Sequence, residues 1–368
     1  MKITCFKNDL LSGINIANRA VSSRTTLPIL ECFLIEATEN EISITTNDND
    51  MAIKTSIIGS VEKPGKIAID ARILSDIVRK LPDNVIVIES DVTNKIKINC
   101  ESSEFNLKGH DANEFPDIPE TGKLSEIVLS EFTLKELIRQ TIFSIAVNDT
   151  NTVMRGECFE VKENTVKLTS LDGHRISIRK EEVISSSNDV KVIVPGKVLK
   201  EISVIIGGEV SEKVNISVDK TFVKFEFGHT SVVSRLIDGE YFNVERMISN
   251  DYETEIKVNK NDLFNEIDRA STLTKESEKK PIIMEINENN LFLELTSSLG
   301  SMYGRTDISK EGKDLTIGFN PRFFIDSLKA IDDEEISIYF INSNSPCFIK
   351  DSEEKYIYII LPVNINRD

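Results

Sequence analysis

The run Leu171-Asp172-Gly173-His174-Arg175 holds the side chains of this chain best suited to chemistry. Asp172, His174 and Arg175 together could form an acid/base site. No nucleophile or second base accompanies them, so the run also reads as a glycine-assisted turn after a hairpin strand, with polar side chains exposed. Asn47-Asp48-Asn49-Asp50 resembles part of a calcium loop. It lacks the Gly and the distant Glu of such loops, and a polar turn between strands is expected instead. Cys5, Cys32, Cys100, Cys158 and Cys347 are scattered, odd in number and without a CxxC pair. Buried, reduced thiols follow, rather than a disulfide framework or a zinc site. His110, His174 and His229 lie far apart with no HExxH spacing. Gly207-Gly208 is not followed by Gly-Lys-Ser/Thr, and neither a GxGxxG turn nor a GxSxG elbow occurs. The expectation is a chain with no catalytic residue, no cofactor and no metal.

The elements that would position these residues repeat along the chain. Three segments, from Ile3, Ile127 and Ile256, each read as a strand running into a helix. In each an apolar pair stands four residues apart: Leu10 and Ile14, Leu134 and Ile138, Leu263 and Ile267. That spacing places both on one helix face. A second set, IAIDARILSDIVRKL, VIVPGKVLKEISVII and IGFNPRFFIDSLKAI, reads as strand, turn, helix, with Arg72, Lys197 and Arg322 at intervals of 125 residues. Asp70, Pro195 and Asn320 precede the basic residues where a cap or first turn is expected; Asp and Asn suit a cap, and Pro suits the first turn. A third set places Asn40, Asn164 and Asn289 at polar turns. Each is followed by alternating apolar residues (Ile42 and Ile44, Val166 and Leu168, Leu291 and Leu293), the period of a hairpin strand. Three units of about 123 residues fill the chain. Pro-, Gly- and Asn-bearing stretches near residues 120 and 250 read as linkers, which divides the chain into 1–120, 121–248 and 249–368. The fold class is α+β: three tandem repeats of antiparallel sheet with helices on one face.

Composition bounds the function. The chain has 368 residues, a 40% hydrophobic fraction and a 29% charged fraction, as expected of a globular protein with real cores. Apolar stretches such as Ile357–Val363 are far shorter than the ~20 residues a bilayer span requires, and the first residues show no apolar signal region. A net charge of −17 argues against a protein whose whole surface binds nucleic acid. The charge is unevenly distributed, however. Helical windows at 7–24, 70–80, 131–143, 197–206, 260–280 and 321–330 hold 17 Lys and Arg against 12 Asp and Glu, whereas the rest of the chain holds 27 against 49. If the helices share one side of the sheet layer, that side attracts phosphate and the remainder does not.

Four further motifs share one order and spacing: Arg24-Thr25-Thr26-Leu27-Pro28-Ile29-Leu30, the Asp172–Arg175 run, Leu236-Ile237-Asp238-Gly239-Glu240-Tyr241, and the tail Tyr358-Ile359-Ile360-Leu361-Pro362-Val363. In this the whole chain resembles the bacterial sliding clamps, the beta subunits of DNA polymerase III. The resemblance implies a head-to-tail homodimer ring of six similar domains around duplex DNA, helices lining the hole and sheets outside. It implies a processivity factor of the replicative polymerase, cytoplasmic and nucleoid-associated, with no membrane contact. The implied partners are duplex DNA of any sequence, the DNA polymerase III catalytic subunit, the clamp loader complex and other proteins bearing a clamp-binding motif. DNA-facing residues would be Arg24, Arg72, Arg79, Lys80, Arg139, Lys197, Lys200, Arg269 and Arg322.

The resemblance also implies a peptide pocket between the second and third domains. Its walls carry over to Met154, Leu171, Gly173, His174, Arg175 and Ile176, then Phe242, Arg246 and Met247. Asn320, Phe323, Ser345, Pro346, Leu361, Pro362 and Val363 complete it. Apolar side chains would supply an adaptable cleft, and Arg and His its rim. Ordinary core is a stronger alternative reading for Leu171 and Ile176 than for the tail residues. Phe242 stands where many relatives carry Pro, and the tail Asn364-Ile365-Asn366-Arg367-Asp368 is more polar than the usual ending. The dimer edge would set Phe105 and Leu107 against Thr272 and Leu273, with Thr272 less apolar than is usual and Ser102 and Ser103 in place of charges. Two other readings compete: a repeat scaffold that binds only proteins, and a metal-dependent hydrolase built on the Asp172–Arg175 turn.

Overall fold

The computed structural model describes the chain except for residues 23–24, 148–149, 250, 276–279 and 366–368. Among the described residues there are six α-helices: α1 (Lys7–Ala17), α2 (Ala71–Lys80), α3 (Glu131–Arg139), α4 (Gly196–Ile205), α5 (Lys260–Ser271) and α6 (Pro321–Ala330). None is long and apolar enough to cross a membrane.

The repeated apolar pairs anchor these helices. Leu10, Ile14, Leu134, Ile138, Leu263 and Ile267 have no solvent exposure. Short polar side chains start several of them. Asp70 Oδ1 accepts the Ile73 N–H at 2.7 Å at the start of α2, and Asn320 Oδ1 accepts the Arg322 N–H at 3.1 Å at the start of α6. Asn259 caps α5 in the same way, accepting from the Asn261 and Asp262 N–H groups. Pro195 differs from the expected first-turn role: it ends the strand Val190–Pro195, and Gly196 opens α4.

Three helices stop sooner than their sequence windows. After α1, α3 and α5 the chain tightens or turns, at Asn18–Ala20, Ile142–Ser144 and Thr272–Leu273. Hydroxyls explain two of these stops by bonding to carbonyls of the last turn. Thr141 Oγ1 donates to Leu137 O at 2.7 Å, and Thr272 Oγ1 donates to Arg269 O at 2.7 Å.

Each helix pair is tied at one end by the first residue of its leading helix. Lys7 Nζ donates to Leu81 O at 2.5 Å, just past α2, and Lys260 Nζ donates to Ile331 O at 2.9 Å, just past α6. An ammonium there suits the negative end of a helix dipole. In the middle repeat the same place holds Glu131, whose Oε2 accepts the Gly208 N–H at 3.0 Å beyond α4. The polarity is reversed and the tie is kept.

The strands form antiparallel sheets in two compact units, residues 1–134, 184–188 and 201–236 in one, and 135–183, 189–200 and 237–368 in the other. The first unit holds a five-stranded sheet ending at Ser103–Lys108 and a nine-stranded sheet. In the latter, Thr230–Arg235 of the middle repeat pairs with Met51–Ile57 of the first, and the Thr55 and Thr230 hydroxyls meet at 2.8 Å. The second unit holds a nine-stranded sheet and a four-stranded sheet whose outer strand is Gly300–Asp307. In its larger sheet, Arg175–Glu182 of the middle repeat pairs with Tyr356–Ile360 of the third. Three repeats thus pack as two units because their border strands share sheets.

Period-2 patterning covers each sheet with helices on one face. Around α1 and α2 this gives a core that includes Leu10, Ile14, Leu74, Val78, Ile86 and Ile88. Around α5 and α6 the core includes Leu263, Ile267, Phe324, Leu328, Tyr356, Tyr358 and Ile360. The strand Tyr356–Ile360 is buried on both faces. Its other side, Ile357 and Ile359, packs with Leu171, Ile176, Ile178, Val244 and Phe348. The expected hairpins form at Asn164 and Asn289, although the left-handed residue of each turn is the preceding Glu, Glu163 at φ 56° and Glu288 at φ 52°. All five cysteines are buried and unpaired.

Candidate docking site and basic helix faces

The turn at residues 172–174 joins the strands Thr165–Leu171 and Arg175–Glu182. Asp172 Oδ1 accepts the His174 N–H at 3.0 Å and the Arg175 N–H at 3.1 Å, which closes the turn. Gly173 has φ +84° with open space where a Cβ would stand, so glycine is needed here for backbone conformation. Of the groups that could do acid/base chemistry, Asp172 and Arg175 are engaged with one another. Asp172 Oδ2 accepts from Arg175 Nε at 2.9 Å, and both side chains are largely buried. Among the described residues, no three His, Cys, Asp or Glu side chains gather as metal ligands would. The Asn47–Asp50 run is a turn closed on itself: Asn47 Oδ1 accepts the Asn49 N–H, and Asp48 Oδ1 accepts the Asp50 and Met51 N–H groups.

Arg175 is not a rim group. Its side chain is 11% exposed, with Nη1 donating to Asp326 Oδ2 at 2.6 Å and Nη2 to Phe143 O at 2.5 Å. The guanidinium lies over the Phe323 ring at 4.7 Å and the Phe143 ring at 5.5 Å. His174 is exposed and stacks on Phe323 with ring centroids 6.1 Å apart and planes at 20°.

From this turn the site extends in two directions. Leu171 and Ile176 are 5% exposed and belong to the cluster beneath it, with Met154 half-buried against them. The core reading of Leu171 and Ile176 therefore holds. Val244, in the same cluster, carries the exposed Phe242, Arg246 and Met247 on its short helical turn and lead-in. Phe242 and Met247 are 42% and 51% exposed, high for large apolar side chains. In the other direction the tail leaves the sheet. The Leu361 N–H donates to His174 O at 2.9 Å and the Val363 N–H to Gly318 O at 2.9 Å. Pro346, Leu361, Pro362 and Val363 then line a groove of about 610 Å³ with Thr316, Ser343, Asn344, Asn364 and Ile365. Ser345 lies half-buried between Asn344 and Pro346, and Asn320 doubles as the cap of α6. Of the polar tail, Asn364 and Ile365 face this groove, and residues 366–368 lie outside the described residues.

Sequence reasoning did not find Val244, Asp326, Phe143 or Thr316. Asp326 carried one usable signal: it stands three residues after Phe323 and so shares its helix face.

The basic residues divide into two kinds. Arg72, Lys197 and Arg322 are each the second residue of α2, α4 and α6, and all three are exposed. Arg79, Lys80 and Lys200 are also exposed on their helices. Arg139 differs. Its guanidinium donates to Glu136 Oε2 at 2.5 Å, Asp332 Oδ2 at 2.5 Å and Ala330 O at 3.1 Å, and the Glu136 carboxylate beside it pushes its pKa up. Its side chain is 36% exposed and engaged with acidic neighbours. Arg269, 59% exposed, bonds Glu266 at 2.5 Å. Arg24 lies outside the described residues. Arg19, absent from the sequence reading, is exposed after α1 and pairs with Glu201 of α4 at 2.8 Å.

Among the edge strands of the four sheets are Ser103–Lys108 and Gly300–Asp307. Phe105 and Leu107 of the first are half-buried against the α1–α2 core, and Leu273 is half-buried against the α5–α6 core. The Thr272 hydroxyl is turned back onto its own helix, as noted above, which reduces its polarity toward any neighbour.

Family models of the DNA polymerase III beta subunit match three parts of the chain in order: the N-terminal domain at residues 1–119, the central domain at 128–243 and the C-terminal domain at 245–364. The chain is 33% identical over 377 residues to the beta sliding clamp of Bacillus subtilis, covering 99% of both. It is 30% identical over 376 residues to that of Staphylococcus epidermidis, with the same coverage. Among solved structures it is similar to a putative DNA polymerase III beta subunit from Eubacterium rectale, at 53% identity, a TM-score of 0.96 and full coverage of both chains. It is also similar to the sliding clamp of Bacillus subtilis, at 32% identity, a TM-score of 0.95 and 99% coverage of both.

Proposed function

The chain belongs to the DNA polymerase III beta subunit family, and from that membership we propose how its parts perform the work of a sliding clamp. A clamp is a non-catalytic processivity factor of the replicative polymerase. Two copies close head to tail into a ring of six domains, divided at 1–120, 121–248 and 249–368 in each chain. Duplex DNA passes through the hole, in the cytoplasm at the nucleoid. Retention is topological: the closed ring keeps its DNA while individual Lys and Arg contacts to phosphate break and re-form. Arg72, Arg79, Lys80, Lys197, Lys200, Arg269 and Arg322 make those contacts, with Arg24 assigned to the same role by resemblance. Arg139, carried over to the same role by resemblance, is also bonded to Glu136 and Asp332.

The observation that carries this reading is the exposed basic residue at the second position of α2, α4 and α6 in an otherwise acidic chain. One basic residue recurring per repeat is what a lining built from tandem domains requires. A partner-binding scaffold with no DNA in it gives no reason for that period.

Ring closure sets the open-edge strand Ser103–Lys108 of one copy against the end of α5 of the other, Phe105 and Leu107 meeting Thr272 and Leu273. The polymerase catalytic subunit, the clamp loader and other motif-bearing proteins dock at the site around His174, Phe242, Met247, Pro346 and Leu361–Val363. Sedimentation across a dilution series tests the ring: the 41.4 kDa chain is expected to run as a dimer through the micromolar range, and a monomer there would contradict it.

A further inference from the structure

Asp326 lies on α6, outside every set of residues named above for partner binding. Its Oδ2 accepts from Arg175 Nη1 at 2.6 Å. Arg175 Nε is held by Asp172 and Nη2 by the Phe143 carbonyl, so each guanidinium nitrogen has a fixed acceptor. The faces are occupied as well, by the Phe323 ring at 4.7 Å and the Phe143 ring at 5.5 Å. A planar group fixed along its edge and on its faces has little freedom of orientation. Phe323, one of those rings, carries the exposed His174 imidazole stacked at 20°. The His174 carbonyl in turn receives the Leu361 N–H, where the tail begins its path along the groove.

Resting on the docking-site reading above, we propose that Asp326 is a positioning residue for partner binding. Through Arg175 it sets the Phe323–His174 wall and the entry of the Leu361–Val363 strap, without touching the partner. Arg175 is then the fixed centre of the site and not a contact offered to a peptide. Asp326 is the member of the set supplied by α6, whereas Asp172 and Phe143 come from the middle repeat. Its carboxylate therefore decides where Phe323, three residues away on the same helix, stands relative to His174.

The test uses the full-length chain immobilised for surface plasmon resonance, with the DNA polymerase III catalytic subunit of the same organism as the probe. Asp326→Asn keeps the shape and removes the charge, and Asp326→Glu keeps the charge. The Asn variant is expected to bind about tenfold more weakly, with its sedimentation and melting temperature unchanged. Its His174 ring-proton resonances are expected to move as the stack on Phe323 loosens. The Glu variant is expected to recover most of the affinity. Unchanged affinity and unchanged His174 resonances in the Asn variant would overturn the proposal. So would parallel loss of melting temperature and binding that Glu does not restore. A doubly charged variant at Met247 and Pro362 is run alongside. If it binds normally, the docking-site reading fails and this inference with it; if it loses binding while Asp326→Asn does not, only this inference fails.

Discussion

Replacing Met247 and Pro362 together by Asp is expected to lower affinity for the polymerase catalytic subunit about a thousandfold and to leave the dimer intact. Met247 is 51% exposed on the turn beside Val244, and Pro362 lines the groove formed by the tail. Met247 is exposed and Pro362 is half-buried at the groove surface, so Asp at these places has only a small folding penalty from burial. In the complex each carboxylate would be enclosed by apolar side chains of the partner. Truncating a well-buried interface anchor costs ~2 kcal/mol or more, and two such losses are worth about three orders of magnitude in Kd. Binding measured by surface plasmon resonance and dimerisation by sedimentation separate the two effects. Unchanged binding would place the docking site elsewhere.

The second large effect concerns Glu157, which has no solvent exposure. Burial pushes its carboxyl up to about 8, against smaller opposing effects of the Thr141 hydroxyl and the Lys200 charge. Thr141 Oγ1 stands 2.7 Å from Leu137 O and 3.2 Å from Glu157 Oε2, while Oε1 has no hydrogen-bond partner among the described residues. A hydroxyl has one proton to share between Leu137 O and Glu157 Oε2, and the nearer carbonyl takes most of it, so the ionised carboxylate gains little from Thr141 and burial prevails. At low pH the carboxyl is protonated in the folded and unfolded chain alike. As pH rises through the ordinary carboxyl range the unfolded chain loses that proton and the folded chain keeps it, so stability falls until pH passes about 8. A shift of this size corresponds to about 3 kcal/mol between pH 5 and pH 8. Glu157→Gln keeps the shape and cannot ionise. It is expected to raise the melting temperature at pH 8 and to flatten its pH dependence relative to the parent chain, as read by calorimetry. A destabilised Gln variant at pH 8 would show that the ionised carboxylate is the folded form.

What the sequence disclosed depended on how local the cause was. Apolar pairs such as Leu134 and Ile138 act within one helix, and their spacing alone located all three leading helices. The interval of 125 residues between Arg72, Lys197 and Arg322 placed the other three helices and the basic residue on each. The polar turns at Asn164 and Asn289 were equally readable, since a hairpin is closed by its neighbours in sequence.

The features that local sequence does not disclose have distant partners. Arg139 reads as a free basic side chain, yet Asp332 bonds it from 193 residues away. Arg175 looked like a rim residue until Asp326, 151 residues away, was found on its guanidinium. The pairing of Thr230–Arg235 with Met51–Ile57 joins two repeats that the sequence presents as separate, and nothing in either strand announces it. Burial of Glu157 is likewise invisible in a strand whose neighbours include Glu160. The proposed docking site is readable only through the resemblance of ordered motifs, because its walls come from six separated segments that no single period relates.

The central claim is that this chain holds DNA by encircling it. The direct measurement is retention of the clamp on DNA after loading, on closed circular duplex and on the same duplex linearised, as salt is raised. Topological retention predicts that clamp stays on the circle at salt concentrations that abolish Lys/Arg–phosphate contacts, and leaves through the ends once the circle is cut. Equal loss from both forms as salt rises, or tight salt-resistant binding to a short linear duplex, would contradict it.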